Sequence, residues 1–81
     1  MTTLPDQILA TLCKIAPDVD PGSVDHARPL VDQLDLDSID YQTLLATLSK
    51  EHRVEIRAVD VPTLRSIDDL ARYVETHRRS P

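Results

Sequence analysis

Three stretches of this chain repeat apolar residues at helical spacing, and that periodicity constrains the fold more than any other feature. Leu4, Ile8, Leu12 and Ile15 recur at i, i+4, i+8 and i+11, and Tyr41, Leu44, Leu45 and Leu48 at i, i+3, i+4 and i+7. Ile67, Leu70, Tyr73 and Val74 mark a third stripe. The chain has no Phe or Trp and only two tyrosines, so the stripes must meet through aliphatic packing between helices. A chain of 81 residues buries only about 60% of its unfolded surface. That leaves room for one all-α unit with little margin.

Local signals set the helix boundaries. Thr3 caps the first helix, with Pro5 tolerated in its first turn and Asp6 three residues after the cap; Pro17 ends it after Ala16. From Pro17 to about Pro29 runs a long connection holding Pro21, Gly22 and Pro29, with Val19 and Val24 as its inward anchors. "PLVDQL" suits a short helical turn that pins Leu30 and Leu34 to the core. A long helix is expected from about Ser38 to about His52, with Asp37 as N-cap and Asp40 as the acidic counterpart of a capping box. "RVEI" then reads as an extended link, "AVDVPTL" as a very short helix, and Ser66 with Asp69 as the start of the last helix. The expected architecture is a four-helix bundle with a long first loop and a short third helix. The tail "HRRSP", residues 77–81, is polar and expected to fray.

Composition excludes several functions. Net charge is −5, but unevenly spread: residues 1–40 carry eight acids against Lys14 and Arg28, whereas residues 41–81 carry six acids against seven bases. Local acidity argues against nucleic acid, which needs a basic face, and for a protein partner that presents Lys or Arg. Aromatic platforms for stacking on bases are missing. One cysteine, Cys13, forms no internal disulfide and supplies no metal cluster, and residues 1–16 lack a signal-peptide pattern. With no apolar run long enough for a membrane span, the chain reads as cytosolic.

The stretch "LVDQLDLDSIDYQTLL", residues 30–45, sets Ser38 among Asp32, Asp35, Asp37 and Asp40. At the first position of a helix capped by Asp37, the serine hydroxyl is exposed at the positive end of the helix dipole. Self-contained nucleophilic catalysis needs a base within hydrogen-bond reach and an oxyanion hole. His52 lies 14 residues along the same helix, about 21 Å away at 1.5 Å per residue. His77 is in the tail, only His26 can approach, and no glycine elbow surrounds the serine. A calcium loop fails too: counted from Asp35, the sixth position is Asp40 where glycine is needed, and the twelfth is Ala46 where glutamate is needed.

"LDLDSIDYQTLLATLSKEHRVEI" resembles the acyl carrier protein family, whose hallmark Asp-Ser-Leu/Ile triplet is matched by Asp37, Ser38 and Ile39, followed by Asp40. The long first loop, the "VEI" link and "TLRSIDDLARYV" agree with that family, so the resemblance covers nearly the whole chain. It implies that Ser38 receives 4′-phosphopantetheine from coenzyme A through a magnesium-dependent phosphopantetheinyl transferase. Asp37 is then both helix cap and transferase recognition residue. It also implies a non-catalytic, monomeric carrier whose thiol holds acyl groups as thioesters. The remaining aspartates oppose the phosphate's charge. Asp32, Asp35 and Asp40, with Ile39, instead suit docking to transferases and to acyl-processing or acyl-loading enzymes with basic grooves.

Departures from the family sharpen this. Asp35 stands where relatives often have glycine, and Gln42, Thr43, Ser49 and Lys50 occupy much of a face that is strongly acidic in fatty-acid-synthesis carriers. Both suit a specialised free-standing carrier in fatty-acid, polyketide-like or lipid-modifying biosynthesis. The alternatives are a peptidyl or aminoacyl carrier and an unmodified helical interaction module. Ile39 falls to the flank of the apolar seam, suited to partner contact, and Cys13 reads as a small, partly buried side chain. His52, where many carriers have an aromatic, reads as a structural residue, partly buried and hydrogen-bonded; Arg78 and Arg79 read as solvated tail.

Overall fold

Thr3 opens the first helix by accepting the Asp6 N–H on its side-chain oxygen at 3.3 Å, and the computed structural model, which describes residues 2–77, builds upward from such caps. Helix α1 spans Leu4–Ile15, α2 Leu30–Gln33, α3 Ser38–His52 and α4 Ile67–His77. The remaining helical pieces are tight 3₁₀ turns at Pro21–Ser23 and Ala58–Thr63. An all-α bundle is therefore present. The short third helix is 3₁₀ rather than α because Pro62 sits inside it and supplies no N–H. The segment closes instead through three-residue bonds such as Asp60 N–H to Arg57 O at 2.9 Å.

The predicted stripes meet in one core. Ile8 and Leu12 of α1, Leu44 and Leu48 of α3, and Ile67, Leu70 and Val74 of α4 are essentially fully buried, with Leu30 from α2. Helix α1 packs on both α3 and α4. Val24 is buried and Val19 packs against the core margin, so the long first loop is anchored as expected. That loop is also tied to α4: His26 O accepts from Asp68 N–H at 3.0 Å, and Leu30 N–H donates to Arg65 O at 2.8 Å. Val54 of the link is buried, and Cys13 is half-buried with its Sγ 3.8 Å from Val19 O.

Helix ends differ in how they are satisfied. At α4 the capping box is reciprocal: Asp69 N–H donates to Ser66 Oγ at 3.0 Å, and Ser66 N–H to Asp69 Oδ2 at 3.2 Å. At α3 only one half forms, Asp40 N–H to Asp37 Oδ1 at 2.8 Å. No return bond from the Asp40 carboxylate is made among the described residues. Helix α3 ends on Arg53 at φ 54° and ψ 46°, the only positive-φ residue described. Asp35, placed where relatives often have glycine, needs no left-handed conformation.

The tail requires a correction. His77 closes the last turn of α4, its ring stacked on Tyr73 with centroids 3.9 Å apart and Nδ1 3.0 Å from Tyr73 O, so fraying does not begin there. Arg78 and Arg79 lie outside the described residues. His52 is partly buried, but its ring makes no hydrogen bond among the described residues, contrary to the sequence expectation. It borders a small cavity with Thr11 and Glu51 at the end of α3 remote from Ser38.

Candidate functional site

Helix α3 begins where the sequence placed it, and its first residue is Ser38. Asp37 is extended at φ −86° and ψ 175°, which turns the chain sharply into the helix while its carboxylate holds the Asp40 N–H. Ser38 is exposed, and its hydroxyl enters no hydrogen bond among the described residues. The helix N-terminus beside it favours an anion. The Asp35, Asp37 and Asp40 carboxylates around Ser38 oppose one, and nothing near the serine resembles a catalytic set among the described residues. The His26 carbonyl is tied to Asp68, and no cluster of metal-binding side chains occurs among the described residues.

The structure gathers some of the predicted docking residues and separates others. Asp32, Asp35 and Asp40 line one open cleft of about 760 Å³ between the first loop and the start of α3. Asp18 and Asp20 of the loop complete it, with Arg28 as its one cation. Neither loop acid was singled out from sequence, although the paired acids of "PDVDP" facing inward-pointing Val19 carried the signal. None of these five carboxylates forms an ion pair among the described residues. Ile39 is outside the cleft and 71% exposed, as its flank position predicted. Val31 on α2 and Val59 in the 3₁₀ turn are similarly exposed and were missed. Beyond Asp40, the exposed residues of α3 are Gln42, Thr43, Ala46, Lys50 and Glu51, with one base against one acid, so net acidity concentrates on the cleft.

A family model described as the phosphopantetheine attachment site matches residues 6–74. The chain belongs to the acyl carrier protein family. Its relatives include the acyl carrier protein of Bdellovibrio bacteriovorus, 33% identical over 57 residues that cover 70% of this chain and 73% of that one. The acyl carrier protein of Tropheryma whipplei is 29% identical over 85% of this chain and 88% of its own. That of Brachyspira hyodysenteriae is 28% identical over 74% and 77%. The family match spans α1 through most of α4, so it includes Ser38, its cap and the acidic cleft. Phosphopantetheine is the group this family attaches, and an exposed serine at a helix N-terminus is suited to bear it. No helix among the described residues is long and apolar enough to cross a membrane.

Proposed function

We propose that this chain is a carrier, acting as one unit over residues 1–81, in which Ser38 bears 4′-phosphopantetheine and delivers acyl thioesters to partner enzymes. One observation carries this: the exposed, unengaged Ser38 hydroxyl at the first position of α3, within a chain matched as a phosphopantetheine attachment site. In the modification, Ser38 Oγ forms a bond to the phosphorus of the pantetheine phosphate. The pyrophosphate bond of coenzyme A breaks, adenosine bisphosphate leaves, and the hydroxyl proton passes to a base on the transferase. The chain itself catalyses nothing. Its arm holds the cargo at high effective concentration beside each enzyme's active site.

Asp37 serves the transferase as well as the helix, and Asp32, Asp35, Ile39 and Asp40 dock partners. Support comes from the unpaired carboxylates of the cleft, beside which an apolar Ile39 stands in solvent. The partners are a phosphopantetheinyl transferase and acyl-processing or acyl-loading enzymes with basic grooves, in the cytoplasm where coenzyme A is handled. The neutral exposed side of α3 favours a specialised pathway over bulk fatty-acid synthesis.

The test is intact-mass spectrometry after incubation with coenzyme A, magnesium and a broad-specificity transferase. The expected result is a gain of one phosphopantetheinyl group that Ser38→Ala abolishes. No gain, or a gain that survives the substitution, overturns the proposal and favours an unmodified interaction module. Loading of the modified chain by amino-acid-activating rather than fatty-acid-activating enzymes would identify an aminoacyl carrier.

A further inference from the structure

Tyr41 stands three residues after Ser38 on α3, so the two side chains leave the helix from one side about one turn apart. Helical side chains lean toward the N-terminus, and a long one covers the turn before its own Cα. Tyr41 therefore reaches back toward the Ser38 end of the bundle. Its ring packs half-buried against the core margin. Yet its hydroxyl is sealed from solvent and is the one buried side-chain polar atom without a hydrogen-bond partner among the described residues. Buried tyrosine hydroxyls ordinarily find a partner, and an exception in a native fold calls for one.

The protein's own groups nearby are already engaged. Asp69 Oδ2 accepts from the Arg65 and Ser66 N–H groups at 3.2 Å each, and Asp69 Oδ1 faces Arg72 at 3.9 Å. Arg65 O accepts from Leu30 N–H. Burial first, and the negative charge of Asp69 second, push the Tyr41 phenol up to about 12, against the pull of Arg65. At neutral pH it is an O–H donor waiting for an acceptor. The stretch leading to Ser38 is held by side chains, Leu34 and Leu36 against the core and the Asp37 cap, rather than by backbone bonds. Leu34 and Asp37 are extended, and the N–H groups of Asp35, Leu36 and Asp37 donate no hydrogen bond among the described residues.

We propose that the Tyr41 hydroxyl is the resting contact of the phosphopantetheine arm, donating to the arm's amide carbonyl nearer the phosphate. This rests on Ser38 being the attachment point. The acceptor is tethered one turn away, so its effective concentration is high, and a bond made out of water is stronger than an exposed one. A neutral carbonyl also suits a donor beside the Asp69 charge better than the phosphate does. Partners that dock at Ile39 and Asp40, the residues between Ser38 and Tyr41, are placed to release the arm.

The experiment compares the complete modified protein with its Tyr41→Phe variant, which keeps the ring and removes only the hydroxyl. Intact mass comes first: absence of the arm on Ser38 overturns the attachment and this proposal together. With the arm present on both proteins, ¹³C and ¹⁵N NMR of the labelled arm reads the contact. The expected result is Tyr41 ring proximity to the arm in the unsubstituted protein, and an upfield shift of the phosphate-proximal carbonyl in Tyr41→Phe. Arm resonances identical in the two proteins, or a buried water as the partner of Tyr41, would overturn the contact and leave the attachment standing.

Discussion

The Thr11 hydroxyl on α1 donates to Glu51 Oε1 on α3 at 2.7 Å, joining two helices through a side chain that is 3% exposed. The Gln7 carbonyl, 3.1 Å away, competes for the same proton, but the carboxylate is nearer and charged. This hydroxyl is the main cause holding the Glu51 carboxyl below its ordinary value of 4.5; burial opposes it, and Lys14, at 3.6 Å, assists. Thr11→Val should cost about 1 kcal/mol, reduced from a fully buried charged bond because Glu51 keeps solvent contact. That corresponds to about 4–8 °C in Tm for a chain this size. A depressed folded pKa gives stability that is complete above the ordinary value and lost as pH falls through the folded one. The Tm gap between the two proteins should therefore close in acid. A gap unchanged there would assign the loss to packing.

Tyr73 does for the 3₁₀ turn what Thr11 does for α3. Its hydroxyl donates to Asp60 Oδ2 at 2.7 Å and accepts from the Arg57 backbone N–H at 3.4 Å. The Tyr73 bond is the largest cause lowering the Asp60 carboxyl, while burial and then this bond raise the Tyr73 phenol. The two shifts bound a window. Asp60 contributes above its ordinary value of 3.8 and loses this as pH falls through its lower folded value. Tyr73 contributes below its ordinary 10.0 and loses this as pH rises through its higher folded value. Tyr73→Phe should raise amide hydrogen exchange across residues 57–63 at neutral pH while α1 and α3 keep their protection. Uniform loss of protection would mean that the turn is not a separable unit.

The helices were legible because their signals are local. Thr3, Asp37 and Ser66 each cap the helix the sequence assigned to them, and periodic aliphatics chose the buried faces. What could not be read depends on contacts distant in sequence. Asp18 and Asp20 join Asp32, Asp35 and Asp40 only because the first loop folds back over the start of α3. The isolation of the Tyr41 hydroxyl is equally invisible, since its neighbour Asp69 comes from the start of α4, where the carboxylate is taken up by its own capping N–H groups. His77 is the local exception: it stacks on Tyr73 four residues back, in a last turn whose polar composition reads as tail.

Asp37 combines two roles that substitution separates. Its carboxylate oxygen caps α3 through the Asp40 N–H at 2.8 Å, and its charge stands next to Ser38. Asp37→Asn keeps an acceptor and removes the charge; Asp37→Ala removes both. The alanine variant should lose about 1 kcal/mol in chemical denaturation and the asparagine variant only a few tenths. Both should be modified more slowly by the transferase, followed by the initial rate of mass gain. Wild-type modification of Asp37→Asn would reduce the residue to a cap.

Ile39 and the cleft acids should govern different steps of partner association. Ile39 is 71% exposed and touches no buried core, so Ile39→Ala should leave stability within about 0.5 kcal/mol of the original. An apolar side chain acts after encounter, once water is expelled, so its loss should speed dissociation with little dependence on salt. Asp32, Asp35 and Asp40 carry unpaired charges on one cleft, and such charges act earlier, by steering. Replacing Asp35 and Asp40 with asparagine should slow association and flatten its salt dependence. Wild-type association should fall as salt rises past about 0.1 M, where the screening length drops to ~10 Å. Stopped-flow rates with a partner enzyme at several salt concentrations separate the two effects. Equal effects of Ile39→Ala and the asparagine pair on the association rate would show that the apolar residue and the cleft form one electrostatically guided surface.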